Sequence, residues 1–147
     1  MAHNESIHRP VREIMNNQVV WVRPEATARE IARKMADSNV GSVLVCEQNR
    51  LMGVISDRQL AVDCLAKGGD ADTCLASDIM TRNPITVSPD TSEMDAVAMI
   101  GRHQVRRLPV IENSVVVGVV SVADLAKDLA NCPECVAALA NELSKAA

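Results

Sequence analysis

Three places in this chain carry side chains whose types and spacing could do chemistry: Cys132-Pro133-Glu134-Cys135, the basic run Arg102, His103, Arg106 and Arg107, and Ser121-x-x-Asp124. Two cysteines at this spacing can share a metal ion or close a redox disulfide. A structural zinc normally takes four ligands, however, and there is no second Cys-x-x-Cys, so His3, His8 or His103 would have to complete a site through folding or association. No metal or cofactor is assigned on this basis. Cys132 and Cys135 are expected to be buried or idle thiols at a helix start, and Cys46, Cys64 and Cys74 to be core or surface fillers. The arginines are the most concentrated positive patch in an acidic chain; their forks suit paired phosphate oxygens, and a solvated helix end followed by a strand start would look the same. Ser121-x-x-Asp124 has the spacing of a capping box. No catalytic set emerges: the three histidines are scattered, no glycine loop cradles a phosphate, and the paired carboxylates Asp70 and Asp72 lie in a linker. The chain is read as a non-enzyme.

The elements that must hold these residues occur twice. Gly53-Val54-Ile55-Ser56 falls on Gly118-Val119-Val120-Ser121, Ile14-Met15 on Ile79-Met80, and Val22-Arg23-Pro24 on Val87-Ser88-Pro89, all at an offset of 65 residues without a gap. A repeat this long, present only twice, points away from a solenoid and toward two like halves packed about a pseudo-twofold axis. Each copy starts with a short helical turn (Val11 to Met15; Ser77 to Met80) and an extended β-branched run. A helix follows, started by Thr27 with Glu30 and by Ser92 with Asp95 at equivalent capping boxes. Its buried stripe is Ala28, Ile31, Ala32 and Met35 in the first copy and Val97 and Ile100 in the second. Two strands joined by the turns at Gln48-Asn49-Arg50 and Glu112-Asn113-Ser114 come next, then a last helix from about Asp57 to Ala66 and from about Val122 to Ala130. Pro109 lacks an N–H, which predicts an edge position or a break in the ladder.

The fold class is therefore α/β (α+β), with two β-α-β-β-α repeats. The divisions are a polar leader over 1–10, a first repeat over 11–67, a linker over 68–75, a second repeat over 76–130, and a C-terminal helix over 131–147 with Val136, Leu139, Ala140 and Leu143 along its apolar stripe. At 147 residues and 48% hydrophobic, the chain can fill an ordinary core unaided. Trp21 is its sole aromatic, so a ligand base would be gripped by aliphatic groups. A net charge of -4 argues against nucleic acid and anionic membranes as partners. The polar start does not resemble a signal peptide, no apolar run is long enough to cross a bilayer, and the odd number of cysteines does not suggest a secreted disulfide framework. A reducing cytoplasm is the expected location.

In order, Asp78-Ile79-Met80, Asn83-Pro84-Ile85-Thr86-Val87, His103-Gln104-Val105-Arg106-Arg107-Leu108-Pro109-Val110 and Gly118-Val119-Val120-Ser121-Val122-Ala123-Asp124-Leu125 resemble the cystathionine-β-synthase (CBS) domain family. The first copy repeats the pattern as Glu13-Ile14-Met15, Asn39-Val40-Gly41-Ser42-Val43-Leu44-Val45 and Gly53-Val54-Ile55-Ser56-Asp57-Arg58-Gln59-Leu60. The likeness covers roughly Val11 to Ala130, in the tandem form called a Bateman module.

The resemblance implies sheet-to-sheet packing of the copies, with two clefts for adenosine-type ligands such as AMP, ADP, ATP or S-adenosylmethionine. It also implies pairing into homodimers, and a regulatory role read by an effector protein in trans. It places Ser121 and Asp124 on a ribose and Ile85 and Thr86 around the base; Arg106 and Arg107, read as a phosphate clamp, and Pro109 complete the expected ligand-binding set. A carboxylate can accept from both ribose hydroxyls, and a helix start offers N–H groups to phosphate; capping alone would produce the same Ser-x-x-Asp. A weaker site in the first copy would use Val20, Ser56, Asp57 and Arg58, with Trp21 at the slot. There the residue aligned with Asp124 is Gln59, which loses the charge-assisted bond, so unequal sites are expected. Two other functions fit the residues: a thiol- or metal-responsive protein using Cys132 and Cys135, or a dimerisation module with empty clefts.

Overall fold

The extended run ending at Trp21-Val22 and the aliphatic runs around Val43 and Val54 form strands, because branched side chains pack well on a pleated, half-buried surface. The computed structural model describes residues 8–146, with side chains as far as Ser144; His3 and most of the expected leader lie outside the described residues. The described chain divides into two compact units, Val19–Pro84 and a second made of the residues up to Gln18 with those from Ile85 onward.

In the Val19–Pro84 unit the order is β1 (Trp21–Val22), α1 (Ala28–Ser38), β2 (Ser42–Glu47), β3 (Arg50–Ser56), α2 (Asp57–Gln59) running on as a π-helical turn over Leu60–Leu65, α3 (Ala76–Ile79) and β4 (Thr81–Arg82). The strands form one sheet in the order β1-β2-β3-β4, with β1 parallel to β2 and the other pairs antiparallel. Thr27 Oγ1 accepts from Glu30 N at 3.2 Å while Glu30 Oε2 accepts from Thr27 N at 3.1 Å, the reciprocal cap that the sequence predicts. Ala28, Ile31 and Met35 of α1 are buried and Ile31 and Met35 pack with Val22, Val43, Val45 and Ile55, whereas Ala32, expected in the stripe, stays exposed.

The other unit holds a 3-10 turn at Val11–Glu13, α4 (Glu93–His103), β5 (Arg107–Glu112), β6 (Val115–Ser121), α5 (Val122–Leu129) and α6 (Pro133–Ala146). Its hairpin carries a bulge between Val110 and Ile111, the counterpart of the one between Val45 and Cys46. Ser92 Oγ accepts from Asp95 N, which is half of the expected box. The C-terminal helix lays Leu139 and the half-buried Leu143 on the body against α4 and α5, while Val136 and Ala140 remain exposed.

Both units complete their sheets with a segment that opens the other repeat. Thr81 and Arg82 pair with Val54 and Gly53, and Asn16 pairs with Val119 at the equivalent place. The approach is close because Gly53 and Gly118 have no side chain. A Cβ at Gly53 would stand 2.6 Å from the Thr81 carbonyl oxygen, and one at Gly118 would stand 2.6 Å from Met15 Sδ. On the opposite edge, Leu44 N donates to the Val20 carbonyl at 3.1 Å. Its counterpart is Pro109, which has no N–H to give Ile85. There the pairing shrinks to a single bridge between Val87 and Val110, the interruption that Pro109 predicts.

Glu93, in the first turn of α4, is fully buried, and neither carboxyl oxygen has a partner; Asp128 Oδ2 is also buried and unpartnered. Burial first, then Asp128, pushes the Glu93 carboxyl up to about 8, against the pull of Arg9. Between 4.5 and about 8 the folded protein thus keeps a proton that the unfolded chain has released, and stability falls as pH rises through that window. Glu93→Gln cannot ionise, and its melting temperature should exceed that of the unsubstituted protein by about 5 °C or more at pH 8.5, with the gap closing toward pH 5. Thermal melts of both proteins at the two pH values check this.

Candidate functional site

Ser121 ends β6 and caps α5. Its Oγ accepts from Asp124 N at 3.1 Å, and Asp124 Oδ2 accepts from Ser121 N at 2.9 Å, so both groups are held by the turn itself. Arg107 stands directly across the ladder from Ser121, which puts their side chains on one face of the hairpin. Arg106 is fixed one residue earlier, its carbonyl accepting from Val122 N at 3.0 Å. α4 ends at Arg102-His103, and Gln104 takes a left-handed conformation (φ 55°), so the chain turns straight back into Arg106 and Arg107. Because Val87 runs parallel to β5, Thr86 and Ile85 lead back along it toward Arg107. Ile85, Thr86, Arg106, Arg107, Ser121 and Asp124 are thereby brought to one end of this unit, with Pro109 buried in the ladder beside them.

The electrostatics of this end are unbalanced. Arg9 pairs with Glu13 and Asp128, Arg12 with Asp90, and Arg29 with Asp72, but among the described residues Arg102, Arg106 and Arg107 form no salt bridge. Arg106 and Arg107 are exposed beside the half-buried Ser121 and Asp124. One carboxylate oxygen of Asp124 is taken by the cap, while the other has no partner among the described residues.

The first-copy counterpart has the same backbone and different chemistry. Asp57 N donates to the Gly41 carbonyl at 2.9 Å, matching Val122 and Arg106. The arginine positions are Gly41 and Ser42, and a Cβ at Gly41 would touch Asp57 Oδ2 at 3.3 Å. Asp57 Oδ1 accepts from Arg58 N at 2.8 Å, and the Arg58 side chain is exposed. Ser56 caps α2 with Gln59: Gln59 N donates to Ser56 Oγ at 3.2 Å and Ser56 N to Gln59 Oε1 at 2.9 Å. Gln59 Nε2 donates to the Ile79 carbonyl and to Thr81 Oγ1, both at 3.0 Å. The amide is consumed in tying α2 to the segment that supplies β4. This role was missed in the sequence, although Gln where the other copy has Asp124 was its signal.

Trp21, with Arg23, Lys34 and the hairpin turn Glu47-Gln48-Asn49, lines a separate groove of about 1110 Å³ in the Val19–Pro84 unit; Val20, Ser56, Asp57 and Arg58 are not among its lining residues. The cysteines depart from expectation. Cys132 and Cys135 are bonded to each other and buried, one of the outcomes their spacing allows and not the expected idle thiols, and Cys64 is bonded to Cys74, because folding closes a distance that their spacing does not reveal. Cys46 is free and buried, and burial pushes its thiol up. Among the described residues no three His, Cys, Asp or Glu side chains cluster as metal ligands, and no helix is long and apolar enough to cross a membrane.

The CBS domain matches residues 11–62 and 76–131. A CBS domain-containing protein of Bacillus subtilis, YhcV, is 37% identical over 116 residues, which cover 79% of this chain and 82% of its own. The crystal structure of Hypoxic Response Protein I with two coordinated zinc ions superposes with a TM-score of 0.75 at 32% identity, covering 80% of this chain and 97% of that one. CBSX2 in complex with AMP superposes with a TM-score of 0.71 at 22% identity, covering 81% and 94%.

Gln59→Asp tests the difference between the copies. Aspartate can still close the cap on Ser56 but cannot donate to Ile79 and Thr81, so the variant should lose about 1–3 kcal/mol of stability in urea unfolding.

Proposed function

Because the chain belongs to the CBS domain family, whose members are commonly regulatory, we propose that it is a homodimeric sensor that takes an adenosine-type ligand at the Arg107, Ser121 and Asp124 end and signals to an effector protein in trans. The observation that carries this reading is the set of unpaired arginines beside the Ser121-Asp124 turn. The free Asp124 oxygen can accept from a ribose hydroxyl, and the Arg106 and Arg107 forks, with Ala123 N as the one N–H of the first three in α5 that neither Arg106 nor Ser121 takes, can meet an anion with no salt-bridged carboxylate competing for the arginines. Ile85 and Thr86 offer a slot for the base, and the Ile85 carbonyl lacks the ladder bond that Val20 receives, which leaves an acceptor for an exocyclic amine. Gly41, Ser42 and Gln59 supply none of this in the first copy, so the second-copy site is the stronger.

Melting scans with AMP, ADP, ATP and S-adenosylmethionine test the proposal, with AMP, which a solved structure of the same fold contains, first. Ligand at a hundred times its dissociation constant contributes about 2.7 kcal/mol, a rise of roughly 5–10 °C for a chain of this size. Asp124→Asn keeps the acceptor that the cap needs but not the charge; its own melting temperature should stay near that of the unsubstituted protein while most of the ligand shift disappears. No shift with any of the four ligands would leave a dimerisation module as the better reading.

A second reading, a thiol or metal response, is favoured by the bonded and buried Cys132 and Cys135 at the start of α6. Reduction would free two thiolates for a soft cation, and the similar protein solved with zinc supports that choice of metal. Zinc analysis of reduced protein after desalting should find about one equivalent that Cys132→Ser with Cys135→Ser abolishes; no retained zinc counts against the reading.

A further inference from the structure

We propose that Cys64 and Cys74 form a reversible thiol–disulfide exchange site that fastens the linker between the repeats and, through it, the segment that holds Gln59. Cys64 lies in the π-helical turn that continues α2, and Cys74 lies at the end of the linker. The loop between them is laid over the start of α1: Arg29 N donates to the Ala71 carbonyl at 3.0 Å, Ala28 N to the Cys74 carbonyl at 2.8 Å, and the Arg29 guanidinium pairs with Asp72 at 2.6 Å. Gly69 leaves the room that the bond requires, since a Cβ there would stand 2.6 Å from Cys74 Sγ. Immediately after Cys74 the chain delivers Ala76, Ile79 and Met80 to the core and Thr81 to the sheet, and Gln59 bonds to that stretch at Ile79 and Thr81.

The disulfide therefore closes a ring. One arm runs from Ser56 and Gln59 along α2 to Cys64, and the other returns from Cys74 through α3 to Gln59. Cys64 is buried, whereas Cys74 is only half-buried and is the sulfur an incoming thiolate can reach. The step uses a dithiol as reductant. One of its thiolates attacks Cys74 Sγ, the bond to Cys64 breaks, and Cys64 leaves as a thiolate that takes a proton. The second thiol of the reductant then attacks its own sulfur in the mixed disulfide, Cys74 leaves and is protonated, and the reductant departs as a cyclic disulfide after passing two electrons and two protons to the protein. Oxidised dithiol reverses the sequence.

The site is independent of any nucleotide. The full chain is titrated with mixtures of reduced and oxidised dithiothreitol, the free thiols are trapped with an alkylating agent, and peptide mass spectrometry reads each cysteine. Cys64 and Cys74 should become labelled together along one two-electron curve, and full reoxidation should restore the bond. In the Cys132→Ser with Cys135→Ser background, reduction should lower the melting temperature by about 5–10 °C and speed proteolysis within residues 67–73. Adding Cys64→Ser and Cys74→Ser should give the lower value with or without dithiothreitol. Labelling of both cysteines in protein equilibrated with oxidised dithiothreitol, or a melting temperature and proteolysis rate unchanged by reduction, would overturn the proposal. The mass-spectrometric readout stands on the unsubstituted protein even if a variant fails to fold.

Discussion

Each hairpin is crossed so closely by another segment that a Cβ would stand in the way, and in this chain the two crossings fall on Gly53 and Gly118. The glycine that opens each Gly-apolar-apolar-Ser run is where Met80-Thr81 or Met15-Asn16 crosses the hairpin. Because that crossing segment is the opening of the other repeat, neither repeat completes its own sheet. The short helical turn that opens each repeat is consequently part of a core, with Val11, Ala76 and Ile79 buried. Overpacking at such a contact costs about 1–3 kcal/mol, and where the obstructing atom is the carbonyl oxygen of Thr81 there is no flexible side chain to give way.

A shared frame makes differences between the copies interpretable, since each substituted pair occupies the same backbone. Leu44 donates to Val20 and Pro109 cannot donate to Ile85, so one copy keeps a two-residue strand and the other a single bridge. Gln59 ties α2 to the crossing segment with both amide hydrogens, while Asp124, which has none to give, keeps an oxygen free. Gly41 stands beside the Asp57 carboxylate, and Ser42 across from Ser56, where the other copy presents Arg106 and Arg107. The first copy turns Gln59 inward to hold the chain together, where the second leaves an Asp124 oxygen free and Arg106 and Arg107 facing out.

Much of this was legible from the residues because it depends on local spacing. The offset repeat, the Thr27-Glu30 cap, the Ser121-Asp124 cap and the break at Pro109 are set by neighbours a few residues apart. The exchange of segments was not legible, because a strict repeat reads the same whichever hairpin its opening turn joins. Nor was the Cys64–Cys74 bond: a separation of 10 residues says nothing about whether a π-helical turn and a loop will meet. Glu93 shows a third kind of blindness. An acid in a first helical turn is expected to face solvent and favour the dipole, and only the packing of Arg9 and α5 around it reveals a buried carboxyl.

The capping role of Ser121 and Asp124 changes what their motif can be taken to mean. Ser56 and Gln59 build the same reciprocal cap in the copy where the carboxylate is missing, so the turn persists under structural need alone and a Ser-x-x-acid spacing does not by itself argue for a ligand. The argument has to rest on what capping does not require. A cap needs no arginine, gains nothing from a free carboxylate oxygen, and is indifferent to whether the strand edge nearby keeps its carbonyl paired. Only the second copy combines the three, and what packing and capping do not call for is two adjacent arginines, Arg106 and Arg107, facing solvent beside a carboxylate oxygen that the cap leaves free.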